Sequence, residues 1–231
     1  MSRALHAIVF DFDGVIANSE PLHLTAFQQA LAPEGIELSP ADYYARYLGY
    51  DDVGLFETLG RDRGIAMSGD RVTSLVSRKA ERMRELLRSG TVLFPGATEF
   101  IREAAAAVPI AIASGALRHE IEDVIDAAGV SDLFATIVAA GDTPESKPSP
   151  APYRLALERL RDTTGRDIDP RRSVAIEDSK WGLESALGAG LRLVGVTTSY
   201  PAHELSGAEL VVDGLEALTL PALDRLCESY V

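Results

Sequence analysis

The stretch AIVFDFDGVIANSEPLH, Ala7 to His23, decides how the rest of the chain is read. An apolar, partly β-branched run ending at Phe10 has the composition of a buried strand, and Asp11, Asp13 and Gly14 follow it at once. An isolated ionised carboxylate resists burial. A pair at the exit of such a strand therefore marks either the mouth of a site or an ordinary Asp-Gly turn, and these residues alone leave both readings open.

Outward from that strand the period changes. From Pro21, Leu22, Phe27, Ala30 and Leu31 recur at helical spacing up to Pro33, and Gly35 marks a stop; segments 40–48, 52–63 and 69–89 also read as helices, with no strand between Asn18 and Ser89. After TVLFPG, helices alternate with single apolar strands: helix 96–107 with strand 108–114, helix 116–128 with 134–140, helix 150–162 with 173–177, helix 180–189 with 191–196. A last strand, 209–214, precedes a C-terminal helix. This alternation is the βαβ signature, so the predicted fold class is α/β, a Rossmann-like parallel sheet carrying an inserted α-helical domain. The expected division is a core of residues 1–16 and 91–231 and an inserted domain of residues 17–90, with crossings at Gly14 to Asn18 and Gly90 to Pro95 able to act as hinges.

Composition bounds what such a chain does. It has 231 residues, 46% of them apolar, enough for a substantial core without staples. The single cysteine, Cys227, excludes an internal disulfide and a multi-cysteine metal site and fits a reducing compartment, and the start MSRALHAIVF is too short in its apolar part for a signal peptide or membrane span. The expected location is cytoplasmic. A formal net charge of −13 repels nucleic acid and anionic membranes, and the cations of RKAERMRELLR, 78–88, alternate with Glu and apolar residues in the pattern of a solvated helix face.

In open parallel sheets, ligands sit beyond the carboxyl ends of the strands. Those exits carry Asp11 and Asp13, then Ser114 and Gly115, then Gly141 and Asp142, then Glu177, Asp178 and Ser179. Several carboxylates brought together need a cation, and an all-oxygen ligand set suits Mg²⁺. Asp178 or Ser179 equally suits a helix N-cap, which leaves Glu177 at the end of a buried strand without an explanation. Ser114 and Gly115 offer a hydroxyl and open backbone N–H groups at a helix start, as a phosphate oxygen requires, and a helix cap by Ser114 is compatible with that. Lys147 is restrained by Pro148 and Pro150 just before the next helix. A loop lysine is ordinarily solvated, and it gains meaning only with the rest of the set.

DFDGV (11–15), ASG (113–115), SKPSP (146–150) and EDS (177–179) resemble, in order, spacing and strand context, the four motifs of the haloacid dehalogenase superfamily, in its branch with a helical cap inserted after the first motif. The resemblance covers nearly the whole chain. FDFDGVIANSEPLH and the short cap are most like the β-phosphoglucomutase and sugar-phosphate phosphatase group, with phosphoglycolate phosphatases as more distant relatives. The resemblance implies that Asp11 is the nucleophile and Asp13 the general acid and base. It implies that Mg²⁺ is held by Asp11, the Asp13 carbonyl, Asp178 and Glu177, the last directly or through water. Ser114, Gly115 and Lys147 would bind the transferring phosphoryl group. Chemistry favours the same division of labour, because an alkoxide leaves poorly unless a proton is delivered.

The same resemblance points to the inserted domain for specificity, through Glu20, His23 and the loop YLGYDD (47–52), which contains Gly49, Asp51 and Asp52. Taken without the resemblance, His23 is a helix-surface histidine. The mutase pattern has an arginine in this loop for a second phosphate. Here Asp51 or Asp52 stands instead, and Arg46 is displaced by several residues. An acidic loop favours hydrolysis over a grip on a bisphosphate, so the expectation is an Mg²⁺-dependent phosphatase acting on a small phosphorylated metabolite, with a sugar phosphate as one candidate and a β-phosphoglucomutase-like mutase as the alternative. Phosphonate and haloacid chemistry fit less well, and a non-catalytic binding protein is opposed by the intact Asp11, Asp13, Lys147 and Asp178. Neither nucleic acid nor membrane is expected as a partner, and the expected state is a monomer or weak homodimer.

Overall fold

The computed structural model describes residues 4–48, 50–89 and 92–228. Gly49, and Gly90 in the second crossing, lie outside the described residues. The chain divides into two compact units, one formed by Met1–Asn18 with Thr91–Val231 and the other by Ser19–Gly90.

The first unit is α/β. Its strands are β1 (Ala7–Phe10), β2 (Ile110–Ala113), β3 (Phe134–Val138), β4 (Ser173–Glu177), β5 (Arg192–Val196) and β6 (Leu210–Val212), and they form one sheet in the order β3-β2-β1-β4-β5-β6. Every pairing is parallel. β1, β2 and β4 are buried along their whole length, as expected of strands covered on both faces. Alternation along β1 divides its side chains. Ala7 and Val9 join a core with Ala111, Ala113, Ala156, Leu157 and Leu160, whereas Phe10 makes edge-to-face contacts with Phe100 and Phe134 on the opposite face. Ala17 and Asn18 belong to this unit because Ala17 bridges to Asp13 and Leu93 and the Asn18 N–H donates to the Val92 carbonyl.

The second unit contains α1 (Glu20–Leu31), α2 (Pro40–Asp42), continued as a wider turn through Tyr47, α3 (Asp52–Arg63) and α4 (Gly69–Ser89). No strand occurs among its described residues. α1 packs against α4, and Leu24, Phe27, Leu31, Tyr43, Phe56, Leu59 and Leu75 form its own apolar core. In the α/β unit the remaining helices follow as α5 (Ala97–Ala107), α6 (Arg118–Ala127), α7 (Ala151–Thr164), α8 (Lys180–Gly188) and α9 (Leu220–Glu228). Among the described residues no helix is long and apolar enough to cross a membrane.

Candidate active site

Chain order reverses at β1, which has β2 on one side and β4 on the other, and a reversal of this kind opens a crevice beyond the carboxyl ends of the strands. Phe10 is level with both Ile112 and Ile176, so Asp11, the residues after Ala113 and Glu177 emerge together at that end. Asp11, Glu177 and Asp178 are buried, and each offers a carboxylate oxygen within 4.8 Å of the others.

Glu177 is two residues beyond Ala175 and shares its face of the sheet, the face covered by α7 and α8. The carboxylate fits there because Gly182 of α8 has no side chain: a Cβ at Gly182 would lie 2.0 Å from either Glu177 oxygen. Tyr153 of α7 donates its hydroxyl to Glu177 Oε1 at 2.7 Å, and Lys147 Nζ reaches the same oxygen at 2.6 Å. Lys147 Nζ also lies 2.8 Å from Asp11 Oδ1. Burial by itself would lower the pKa of the ammonium, but Asp11 and Glu177 more than offset that and hold it above its ordinary value. Glu177 is held above the usual carboxylate range by burial, with the Asp11 charge adding to the effect and Lys147 and Tyr153 opposing it.

Asp178 is pushed up to about 8, first by burial and then by the charges of Asp11 and Glu177. A buried carboxylate so disfavoured as an anion is one that a cation would stabilise. The donor set is all oxygen, which suits a hard divalent ion better than a soft one. Asp11, Glu177 and Asp178 are the side chains that could hold such an ion. The β5 exit supports this carboxylate: Ser199 hydrogen-bonds Asp178, and Thr198 donates its hydroxyl to the Gly14 carbonyl.

The two serine positions resolve differently from one another. Ser179 is the N-cap of α8, its Oγ accepting from the Gly182 N–H at 3.1 Å, so Asp178 is not spent on capping. Helix α6 begins only at Arg118, and its N-cap position is Leu117, so Ser114 caps nothing. Instead Ser114 Oγ accepts from the Ala116 N–H at 3.1 Å, a local side-chain turn that delays the helix and leaves Gly115 in open backbone with no heavy atom within 4 Å of where a Cβ would stand. Asp142, at the β3 exit, is taken up by Arg118 at 2.7 Å and Arg159 at 2.8 Å.

The helical unit holds a second polar cluster. Tyr43 donates its hydroxyl to Glu20, whose carboxyl is raised above its usual range chiefly by burial. Lys79 Nζ lies 3.0 Å from His23 Nδ1 and 2.8 Å from Asp52 Oδ1, and 5.0 Å from the centroid of the Phe27 ring. An ammonium at Nδ1 requires that nitrogen to accept, which puts the imidazole proton on Nε2. Burial and then the Lys79 charge lower His23 to about 3, so it is a neutral ring and not an ordinary surface histidine. Asp51 is the N-cap of α3, accepting from the Gly54 N–H at 2.7 Å, and Arg46 is paired with Asp62 at 2.7 Å. The carboxylates of the loop are thus engaged locally, one as a cap and one as the counter-ion of Lys79.

Three residues of these two polar clusters escape a reading by strand exits and loop motifs: Tyr153, Ser199 and Lys79. The same exit rule applied to β5 reaches Thr197, Thr198 and Ser199. Lys79 interrupts the stripe Leu75, Met83, Leu87 at four-residue spacing, and it is only 3% exposed, so the reading of 78–88 as a solvated face fails at this position while Glu81, Arg82, Arg84 and Glu85 are exposed as expected. Tyr153 carries no sequence signal beyond an aromatic residue in an amphipathic helix.

A model of the haloacid dehalogenase-like hydrolase family matches residues 5–190. CbbY of Cereibacter sphaeroides is 33% identical to the chain over 229 residues, covering 93% of the chain and 94% of that protein. CbbY of Rhodobacter capsulatus is 31% identical over 236 residues, covering 96% and 99%. The crystal structure of CbbY from Rhodobacter sphaeroides in complex with phosphate superposes with a TM-score of 0.81 at 31% identity, over 95% of this chain and 99% of that one. An aspartate-to-asparagine variant of that protein, crystallised in complex with xylulose-(1,5)bisphosphate, superposes with a TM-score of 0.78 at 30% identity, over 93% and 96%.

Proposed function

The chain belongs to the haloacid dehalogenase-like hydrolase family, and from that premise we propose that it is an Mg²⁺-dependent phosphatase that removes a phosphoryl group from a small sugar phosphate through an aspartyl-phosphate on Asp11. The observation that carries this reading is Lys147, whose ammonium lies 2.8 Å from Asp11 and 2.6 Å from Glu177 beside the Asp178 carboxylate. A nucleophilic carboxylate must approach a phosphoryl group that is itself anionic, and a fixed cation beside it offsets that repulsion.

In this reading Asp11 attacks phosphorus in line as the bond to the leaving oxygen breaks, and Asp13 gives that oxygen its proton so that it departs as an alcohol. Asp13, now a carboxylate, takes a proton from water as the water oxygen attacks the phosphorus of the aspartyl-phosphate. The P–O bond to Asp11 breaks, orthophosphate leaves and both carboxyl groups return to their starting states. Lys147, the Ser114 hydroxyl and the Gly115 N–H hold the phosphoryl oxygens. Asp11, Asp178 and the Asp13 carbonyl, with Glu177 directly or through water, would hold Mg²⁺, which would supply further stabilisation of the negative charge on the phosphoryl group.

We assign specificity for the remainder of the substrate to the helical unit, with Glu20, His23, Lys79 and Asp52 as its polar contributors. The bisphosphate bound to the CbbY variant makes pentulose and hexulose mono- and bisphosphates the first compounds to try. The test is release of orthophosphate from a panel of phosphorylated metabolites and one aryl phosphate, with Mg²⁺ and with chelator. Metal-dependent release concentrated on sugar phosphates is the expected result. Release from none of them, the aryl phosphate included, would overturn the reading.

A further inference from the structure

Tyr153 is fully buried among Ala111, Ala113, Ala156 and Leu157, and a hydroxyl in such surroundings must find a partner. It finds Glu177 Oε1, which it shares with Lys147. The other oxygen, Oε2, accepts from the Asp178 N–H at 3.2 Å and the Ser179 hydroxyl at 3.3 Å. Lys147 Nζ lies 5.1 Å from the centroid of the Tyr153 ring, so the tyrosine meets both members of the ion pair, the carboxylate through its hydroxyl and the ammonium through its ring.

A carboxylate oxygen accepts along two lone-pair directions. With the Tyr153 hydroxyl along one of them, the ammonium is restricted to the other, and from there it also reaches Asp11 at 2.8 Å. Without the hydroxyl, Glu177 is still held through Oε2, but one direction at Oε1 falls vacant, and the ammonium can shift toward it and away from Asp11. Packing alone explains the aromatic ring but not the hydroxyl, which a phenylalanine would lack at no cost in volume.

We propose that Tyr153 is a positioning residue: its hydroxyl, acting through Glu177, keeps the Lys147 ammonium shared with Asp11 and so available to the incoming phosphoryl group. This rests on the phosphatase reading above. The role differs from ligating the cation: the Tyr153 hydroxyl donates to Glu177 Oε1 and is not itself one of the oxygens of the Asp11, Glu177 and Asp178 cluster.

The test compares wild type with Tyr153→Phe, which keeps the ring. Three quantities are measured: kcat and KM on an aryl phosphate, the affinity for orthophosphate in the presence of Mg²⁺, and the affinity for Mg²⁺ alone. Misplacing a group by about 1 Å can cost about 100-fold, so kcat/KM is expected to fall about 10- to 100-fold and orthophosphate to bind about 3- to 10-fold more weakly, with Mg²⁺ affinity kept within about threefold. Because the hydroxyl acts through Glu177, the same substitution in a Glu177→Gln background is expected to cost much less. Unchanged kcat/KM and orthophosphate affinity in an active wild type would overturn the positioning role alone. So would a parallel loss of thermal stability, Mg²⁺ and orthophosphate binding, or strict additivity with Glu177→Gln, either of which makes the hydroxyl part of the packing only. A wild type that neither cleaves the aryl phosphate nor binds orthophosphate overturns the phosphatase reading, and the positioning role with it.

Discussion

Gly14 has no side chain where Asp178 keeps its carboxylate: a Cβ on Gly14 would stand 1.9 Å from Asp178 Oδ2. Gly14 also has φ +78, in the left-handed region that other residues enter only at a cost. The glycine that follows the aspartate pair is therefore required twice, by the backbone of its own turn and by a carboxylate that is distant in sequence. Gly14→Ala is expected to destabilise the protein by about 1–2 kcal/mol from backbone strain and to weaken Mg²⁺ binding by displacing Asp178. Calorimetric titration of Mg²⁺ checks this, and an affinity equal to wild type would separate Gly14 from the cation site.

Asp178→Asn tests the cation site from the other side. In the metal-free protein the folded-state pKa of Asp178, about 8, lies above its ordinary 3.8, so the folded chain holds a proton that the unfolded chain has lost. The sign follows: this group's contribution to stability is present in acid and is lost as pH rises from about 4 to about 8. Chelated wild type is expected to lose stability relative to Asp178→Asn between pH 5 and pH 8, and Mg²⁺ to restore it only in wild type. Melting curves at the two pH values, with chelator and with Mg²⁺, decide the matter.

The sheet and the four exits were legible because each depends on local signals: short apolar runs, breakers after them, and carboxylates where burial would not tolerate them unpaired. The serines were less so. Ser114 and Ser179 are the same residue type in two strand-to-helix turns, one directly after β2 and the other two residues after β4, yet Ser179 caps its helix and Ser114 folds its hydroxyl back onto the Ala116 N–H, a choice set by where each helix starts. Lys79 was hidden by its neighbours, since a charge between Arg78 and Glu81 reads as surface unless the four-residue stripe through Leu75 and Met83 is followed. Tyr153 was not legible at all, because its partner Glu177 is on another element and only the folded sheet brings the two together.

Division of labour between the two aspartates is expected to show in the leaving group. Asp11→Asn removes the proposed nucleophile and should abolish phosphoenzyme on every substrate. Asp13→Ala should retain phosphate binding and lose turnover, about 100-fold or more on an alkyl phosphate and much less on an aryl phosphate whose phenolate needs little protonation. Rates on the two substrate types measure this. Equal losses would assign Asp13 a different role.

His23 gives the helical unit an acid-sensitive point. Its folded-state pKa, about 3, lies below its ordinary 6.5, so protonation favours the unfolded chain. Stability from this group is held above pH 6.5 and is lost as pH falls toward 3, at up to about 1.4 kcal/mol per pH unit. His23→Asn, which does not titrate, should flatten the acid limb of stability between pH 6.5 and pH 4. Denaturant midpoints of the two proteins across that range provide the measurement, and parallel curves would place the ring in solvent.

If the helical unit sets specificity as proposed, hydrolysis against phosphoryl transfer to a second sugar position turns on what that unit offers a second phosphate. Asp51 and Asp52 do not act there as a bare acidic patch, since one caps α3 and the other neutralises Lys79, and the repulsion expected of them is correspondingly reduced. The argument for hydrolysis moves to the cations. Arg46 is bound to Asp62 at 2.7 Å and half-exposed, and Lys79 is bound to Asp52 at 2.8 Å, so recruiting either for a second phosphate means breaking an ion pair first. Water faces no such cost as the acceptor. Supplied with a hexose 1-phosphate, Mg²⁺ and a catalytic amount of the corresponding 1,6-bisphosphate, the enzyme is expected to release orthophosphate with little hexose 6-phosphate. Asp52→Asn, which frees Lys79 from its counter-ion, is expected to raise affinity for the bisphosphate. Isomerisation far faster than orthophosphate release in wild type would mean that one of these cations does leave its carboxylate for the second phosphate, and the enzyme would then be a mutase.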